Sequence, residues 1–544
     1  MDPSLDEEIH QLDATVAFRG DVPHRHHTWA KTFHSRPELY FRPRSTEGIQ
    51  KIITLARRYR RRITLVGSGH SPSDLTCTSS WMINLDNYNQ ILSVNPKTHI
   101  VVMQSGIRLR DLGLEIKKHG LAMANLGSID SQSIAGAIGT CTHGSTLRHG
   151  VLSESVLALK VMLANGRSVL CNKDQNADLF RAALVSLGAL GVVIEVTYQA
   201  VPAFDIEWIQ SLQPLDRVLE SWETDLWTQA EFVRVWWLPY TRRAVVWKAE
   251  KTTKPRVEPK RSWYGGQIGY YTYHNLLYLG QWIPRLLPWV EWFVFGMEYG
   301  FRTGSSITAV QEGRTGLLMD CLYSQLVNEW AIPLEKGPEA ITRMTAWLHG
   351  DKKTARIPVS SRGVYIHAPI EVRVTDTSSN SIRPFLDNTN RRGATLYLNA
   401  TLYRPYNADP PCHKRYYEAF EYLMKELGGK PHWAKNHLTV TRDDLQSMYQ
   451  DDLSQWSRIR NEADPEGMFV GDWHRRYVLP EDIGRLPLEE VTVNTTPDPQ
   501  GGWMVEGELM RREKSRSVSE ESFDLMHGAE TEASTLLPAV EESE

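Results

Sequence analysis

The chain has 544 residues, too many for one small core, so two or more domains are expected. Hydrophobic residues make up 41% and charged ones 23%, which excludes fibrous and wholly disordered chains and leaves a soluble globular protein. The net charge of −4 is uneven: from Glu481 onward about 16 acids face about 5 Lys or Arg, so the remainder is net basic by roughly 7. That balance suits an anionic cofactor or a membrane surface and is too mild for nucleic acid.

Five cysteines (Cys77, Cys141, Cys171, Cys321, Cys412) show no zinc spacing, so no metal is expected, and a reducing compartment is favoured. The opening MDPSLDEEIH is acidic and lacks an apolar run, so neither a secretory signal nor a basic transit peptide is expected. Residues 1–27 read as a polar arm. STEGIQKIITLARRYRRR reads as an amphipathic helix capped at Ser45 or Thr46, with Ile49, Ile52, Ile53 and Ala56 on one face. ITLVG, WMINLDNY and HIVVMQSG follow as strands, then a helix from RLRDLGLEIKK ending at Gly120. VLALKVMLANG and ALGVVIEVTYQAV complete a first domain, 28–205.

The second domain, 206–480, mixes strands and helices. FVRVWWLPY and RAVVWKAE predict a hairpin, GVYIHAPIEVRVT and TLYLNATLY long strands, and HKRYYEAFEYLMKELGG a helix. Residues 481–544 are acidic, poor in apolar residues and expected to be disordered; RREKSRSVSE within them is a kinase target or a solvated charge run. Segment 274–303 is unusual, with Trp282, Trp289 and Trp292 among aliphatics. Arg285, Glu291 and two prolines interrupt it, leaving three readings: a buried core or dimer segment, a helix lying on a bilayer, or a true span.

Two glycine-rich stretches carry the chemistry. LVGSGHSPSD turns through Gly67 and Gly69 and presents His70, which reads as a ligand, a base, an attachment point or a plain connector residue. ANLGSIDSQSIAGAIGTCTHGS packs small and hydroxyl residues so densely that its backbone can wrap a ligand and satisfy phosphate oxygens. Neither a P-loop nor a GxGxxG turn is present, which points to a long, flat, diphosphate-bearing ligand held without metal. Glu371 and Arg373, at i and i+2 on a strand, share one face, either as a solvated pair or as working groups. His432 and Lys435 in HWAK are spaced as on a polar helix edge.

These motifs, with LFRAALVSLGALGVVIEVTYQ, PHWAKNH and DPEGMFVGDWHRRYVL, resemble the vanillyl-alcohol-oxidase flavoproteins over residues 28–478, and within them the sugar-1,4-lactone oxidases. The likeness is strongest to the fungal D-arabinono-1,4-lactone oxidase group. It implies an α+β, two-domain fold with an α/β FAD-binding domain and a mixed-sheet substrate or cap domain. FAD would be bound covalently through His70. Gly67, Ser68, Gly69, Ser71, Gly127, Ser128, Ser131, Ser133, Gly136, Gly139, Thr140, Thr142, His143, Gly144, Val193 and His432 would surround it.

By the same resemblance Glu371 is the hydrogen-bond acceptor or base at the substrate hydroxyl, Arg373 stabilises negative charge developing on that oxygen or on the reduced flavin, and Lys435 favours the reduced ring. Asn399 would add a substrate hydrogen bond and Trp433 would pack. Cys141 is a second attachment point or a packed small residue. Gly127 either serves its turn or leaves the ring open to dioxygen, which would make the protein an oxidase releasing hydrogen peroxide. The implied substrate is an aldono-1,4-lactone oxidised at C2, and the implied place a mitochondrial membrane (outer, peripheral or monotopic), with the cytoplasm as alternative. An alditol oxidase, a lactone dehydrogenase with a protein acceptor, and a non-catalytic membrane-associated flavin-binding protein remain as other readings.

Overall fold

A computed structural model describes residues 24–479, except the single positions 261, 264, 320, 368 and 381, together with short strands at 16–18, 495–497 and 503–505. Of the acidic segment 481–544, only the last two strands are described, Trp503–Val505 pairing parallel with Phe33–Ser35; the expected disorder of the remainder lies outside the described residues.

The first helix, Thr46–Arg58, starts where Ser45 Oγ accepts a hydrogen bond from Gly48 N at 3.1 Å, and ends with Arg57 and Arg58 in its last turn. Its Ile49, Ile52, Ile53 and Ala56 are fully buried against the strands that flank it in sequence. Those strands form a four-stranded sheet in which Leu39–Pro43 and Ile63–Val66 both run parallel to Trp81–Asn84. A five-stranded antiparallel sheet follows, ordered 168–172, 156–162, 192–199, 100–104, 91–95. The helix Leu109–Lys117 precedes Gly120, whose φ of 71° is the left-handed conformation glycine takes without strain.

From Asp205 an eight-stranded sheet takes over, ordered 306–312, 205–214, 243–252, 232–238, 370–375, 395–403, 325–333, 430–431, with every pairing antiparallel. Alternation along its strands divides two cores. Leu396, Leu398, Ala400 and Leu402 face the helices Gly337–Leu348, His413–Glu426 and Asp451–Ala463. Phe232, Trp236, Val245 and Trp247 face the first domain and share its core with Leu159, Val196 and Tyr198. The second domain therefore presents one sheet face to the first.

One expectation changes, and one open reading takes definite shape. The strand expected across GVYIHAPIEVRVT is only Ile370–Thr375. Pro369 lacks a ladder N–H, and the preceding residues bond elsewhere: Ile366 N donates to Tyr240 Oη at 2.8 Å, and His367 O accepts from Tyr273 Oη at 2.9 Å. The Trp-rich segment is a helical hairpin, Gln267–Trp282 and Leu287–Tyr299, joined by a short turn at Pro284–Leu286. No described helix is long and apolar enough to cross a membrane.

Candidate active site

The crevice begins at the end of strand Ile63–Val66. Gly69 has φ 64°, which bends the chain so that His70 follows the turn. A Cβ on Gly67 would lie 2.2 Å from Ser133 Oγ, so glycine there lets the second motif close on the first. Gly67, Ser68, Gly69, His70 and Ser71 line one hollow with Ser133, Gly136, Gly139, Thr140 and Val193. Ser105, Gln132, Ser186, Gly191, Phe469 and His474 are among its other walls. His474 is fixed as a wall, Nε2 lying 2.8 Å from Leu187 O and Nδ1 accepting from Gly471 N. Ser105 Oγ and Gln132 Oε1 are buried with no hydrogen-bond partner among the described residues. Such groups normally have one, which marks the hollow as built for a polar ligand.

His70 is held from three sides. Its Nε2 is 2.6 Å from Ser131 Oγ, Trp29 stacks on its ring at 5.2 Å, and Trp29 N donates to Gly69 O at 2.8 Å. Burial, then Arg108 and Lys435, push its pKa down to about 4, so the imidazole is neutral at ordinary pH. Asn436 braces the turn, its Nδ2 donating to Pro72 O at 2.9 Å.

Below the turn, the large sheet presents a charged row. Register pairs Trp236 with Glu371, Glu371 with Asn399, and Asn399 with Glu329, so four strands bring these side chains to one face. Glu371 Oε2 lies 3.4 Å from Arg373 Nε and accepts from Asn399 Nδ2 at 3.4 Å; its Oε1 is buried without a hydrogen-bond partner. Arg373 reaches Glu329 with one terminal nitrogen and Ser128 Oγ, at 3.3 Å, with the other. Burial alone would lower the Arg373 pKa, but Glu329 and Glu371 outweigh it and raise it. Burial would likewise raise Glu329, yet Arg373 and Lys435 hold it well below the ordinary carboxylate range.

His143 and His432 complete the cluster. His143 stacks on Tyr397 at 3.4 Å, with its Nε2 3.4 Å from Glu329 Oε1. Burial, first of several causes, keeps both imidazoles neutral. Ligand atoms of His143, Glu329 and His432 lie within 4.8 Å of one another, a spacing that a metal can use. Arg373 and Lys435 already neutralise the carboxylate, however, so the cluster works as an ion network.

Several residues expected around the cofactor do not line the crevice. His143 and His432 belong to the ion cluster, because the sheet face carrying Glu329 draws them there. Ser128 serves Arg373, and Gly127 faces Thr142, whose Cγ2 would be 3.1 Å from an added Cβ. Gly144 is a packing glycine: a Cβ there would sit 1.8 Å from Asn125 Oδ1. His432 and Lys435 lie in a turn, not on a helix edge, with Lys435 N bonded to His432 O at 3.0 Å. Cys141 is fully buried, its Sγ 3.3 Å from Asn388 Oδ1, and Trp433 is buried with its indole N–H on Leu386 O.

Sequence reasoning missed Glu329 and Arg234. Arg234 is buried on the same sheet face, its Nη2 donating to Leu317 O at 2.6 Å, and Glu371 is the carboxylate that supports its charge against burial. The available signal was one charge inside each largely apolar run, LVNEWAIP and FVRVWW.

The architecture has solved counterparts. Cholesterol oxidase from Brevibacterium sterolicum superposes with a TM-score of 0.70 at 15% identity, over 85% of this chain and 98% of that one. This is the two-domain α+β fold of the vanillyl-alcohol-oxidase flavoproteins. The profile of an FAD binding domain matches residues 37–172, and that of D-arabinono-1,4-lactone oxidase matches residues 196–477. A Neurospora crassa homologue is 53% identical over 521 residues, covering 90% of this chain and 93% of its own. The D-arabinono-1,4-lactone oxidases of Yarrowia lipolytica and Candida albicans are 39% and 36% identical, each over 82% of this chain and 95% and 94% of their own. The chain belongs to the D-arabinono-1,4-lactone oxidase family of FAD-binding flavoproteins.

Proposed function

We propose that this chain oxidises D-arabinono-1,4-lactone, or a related aldono-1,4-lactone, at C2, using FAD and dioxygen and giving an ascorbate-type product and hydrogen peroxide. One observation carries the reading: Glu371 Oε1 is buried and unbonded while Arg373 and Asn399 hold the other oxygen of the same carboxylate. An acceptor left open in that way matches a single hydroxyl donor. The crevice residues also fit FAD, because the glycine turn, Ser105 Oγ and Gln132 Oε1 offer backbone and polar atoms without competing partners.

Bound FAD would supply the hydride acceptor for the substrate carbon and the route for its electrons to dioxygen. The protein supplies the rest. Glu371 Oε1 takes the C2 hydroxyl proton. Arg373, anchored by Glu329 and Ser128, keeps positive charge beside the oxygen on which negative charge develops. Lys435 adds a second cation from the turn that braces His70. His70 is the proposed attachment point; its neutral ring and the Ser131 contact at Nε2 support this. The oxidase reading rests on the family resemblance, since a Cβ at Gly127 would meet Thr142 Cγ2 at 3.1 Å.

Anaerobic mixing with D-arabinono-1,4-lactone should bleach the yellow protein within seconds, and air should restore the colour with one hydrogen peroxide per lactone. A panel of five- and six-carbon lactones and alditols tests the substrate class. Faster bleaching by arabinitol or xylitol would replace this reading with an alditol oxidase, and bleaching by none would leave a flavin-binding protein without turnover.

The hairpin at 267–299 supports a second proposal, peripheral contact with a bilayer. Its inner face, including Tyr273, Leu277, Val290 and Val294, packs into the domain core. Its outer face exposes Ile268 at 80%, Trp282 at 74%, and also Ile283, Trp289 and Trp292. The fungal resemblance makes the mitochondrial outer membrane the proposed location. Co-flotation with phosphatidylcholine–cardiolipin vesicles should fall about tenfold in an Ile268→Glu/Trp282→Glu variant, which loses two apolar anchors. Unchanged flotation would remove the hairpin as the contact.

A further inference from the structure

The ion cluster contains a charge that the proposed reaction does not use. Glu329 is fully buried in the strand Gln325–Pro333, where it is the one charged residue. Its Oε1 engages Arg373 and lies 3.4 Å from His143 Nε2; its Oε2 lies 3.6 Å from Lys435 Nζ and makes no hydrogen bond. A ligand atom of the neutral His432 lies within 4.8 Å of it, and Tyr397 stacks on His143 beside it. The carboxylate thus touches both cations assigned to the reacting centre. Lys435 is also one of the two cations that lower the His70 pKa, so its charge acts on the crevice turn as well as on Glu329.

We propose that Glu329 is a positioning residue that sets the redox potential of the bound flavin, by orienting Arg373 and Lys435 and cancelling part of their charge. The inference rests on the flavin reading above. With Glu329 in place, the described cluster of Arg234, Arg373, Lys435, Glu329 and Glu371 carries one net positive charge; without it, two. In a site this dry, an added unit charge acts over several ångströms. The electron-rich form of the ring would then be stabilised, and the potential would rise. A buried carboxylate is expensive to maintain unless its pairing does something an apolar residue could not.

The test is an equilibrium redox titration of purified holoenzyme, with sulfite binding as a second probe of positive charge beside an oxidised flavin. Glu329→Gln should bind sulfite about tenfold more tightly, which for a two-electron couple corresponds to a potential raised by ~30 mV. Lys435→Met should move both quantities the other way. The double variant, Glu329→Gln with Lys435→Met, should return to within about twofold of wild type in sulfite affinity. A folded Glu329→Gln protein with unchanged potential and sulfite affinity, and only a lower melting temperature, would reduce Glu329 to a structural role.

If Glu329→Gln does not accumulate, comparing Lys435→Met with the double variant decides alone. Equal potentials in those two would overturn the proposal. A colourless wild type would instead overturn the flavin reading, whereas a yellow wild type indifferent to position 329 overturns only this inference.

Discussion

Replacing Glu371 by glutamine is expected to slow lactone-driven flavin bleaching about 10²–10⁴-fold, the range that a positioned general base supplies. The amide keeps the shape of the side chain and its contact with Asn399, but it cannot take up the hydroxyl proton. Arg373 retains Glu329 and Ser128 as anchors, so the sheet face stays assembled. Flavin content and melting temperature should therefore match wild type while the anaerobic rate collapses in stopped flow. Because the lost interaction belongs to the transition state, kcat and kcat/KM should fall together. A bleaching rate within about threefold of wild type would move the proton acceptor elsewhere, with His143 or His432 next to be tested.

Changing His70 to alanine is expected to abolish acid-stable flavin. Wild-type protein precipitated with trichloroacetic acid should stay yellow, and His70→Ala should release its flavin to the supernatant. The variant should still bind FAD before acid treatment, since the glycine turn, Ser133 and Ser105 remain in place. The geometry favours a reactive imidazole: burial keeps it neutral, and the Ser131 contact at Nε2 and the Trp29 ring restrict its rotation. Wild-type flavin that washes out with acid would remove the covalent bond while leaving FAD binding intact.

Much of the first domain was legible because its signals are local. Ser45 caps the first helix, Ile49, Ile52, Ile53 and Ala56 bury on one face, and Gly120 takes the left-handed conformation at the helix end. Glycine motifs are equally local, since a turn needing positive φ at Gly69 or bare backbone at Gly67 admits few other residues. The strand ending at Thr375 was legible but drawn too long, because Tyr240 and Tyr273 satisfy the preceding backbone from distant parts of the chain.

By itself the sequence determined that two glycine-rich turns and an i, i+2 acid–base pair exist, since each depends on neighbours a few residues away. Tertiary structure alone decided what that pair faces. The row Trp236, Glu371, Asn399, Glu329 joins four strands drawn from nearly 170 residues of chain, and only sheet register aligns them. The fold also sets His143 and His432 beside that row, next to a Glu329 that no neighbour in sequence announces, while Arg373 and Lys435 supply the charge that the buried carboxylate needs. Hydrophobic periodicity records which side of a strand is buried, but not which strands will be neighbours.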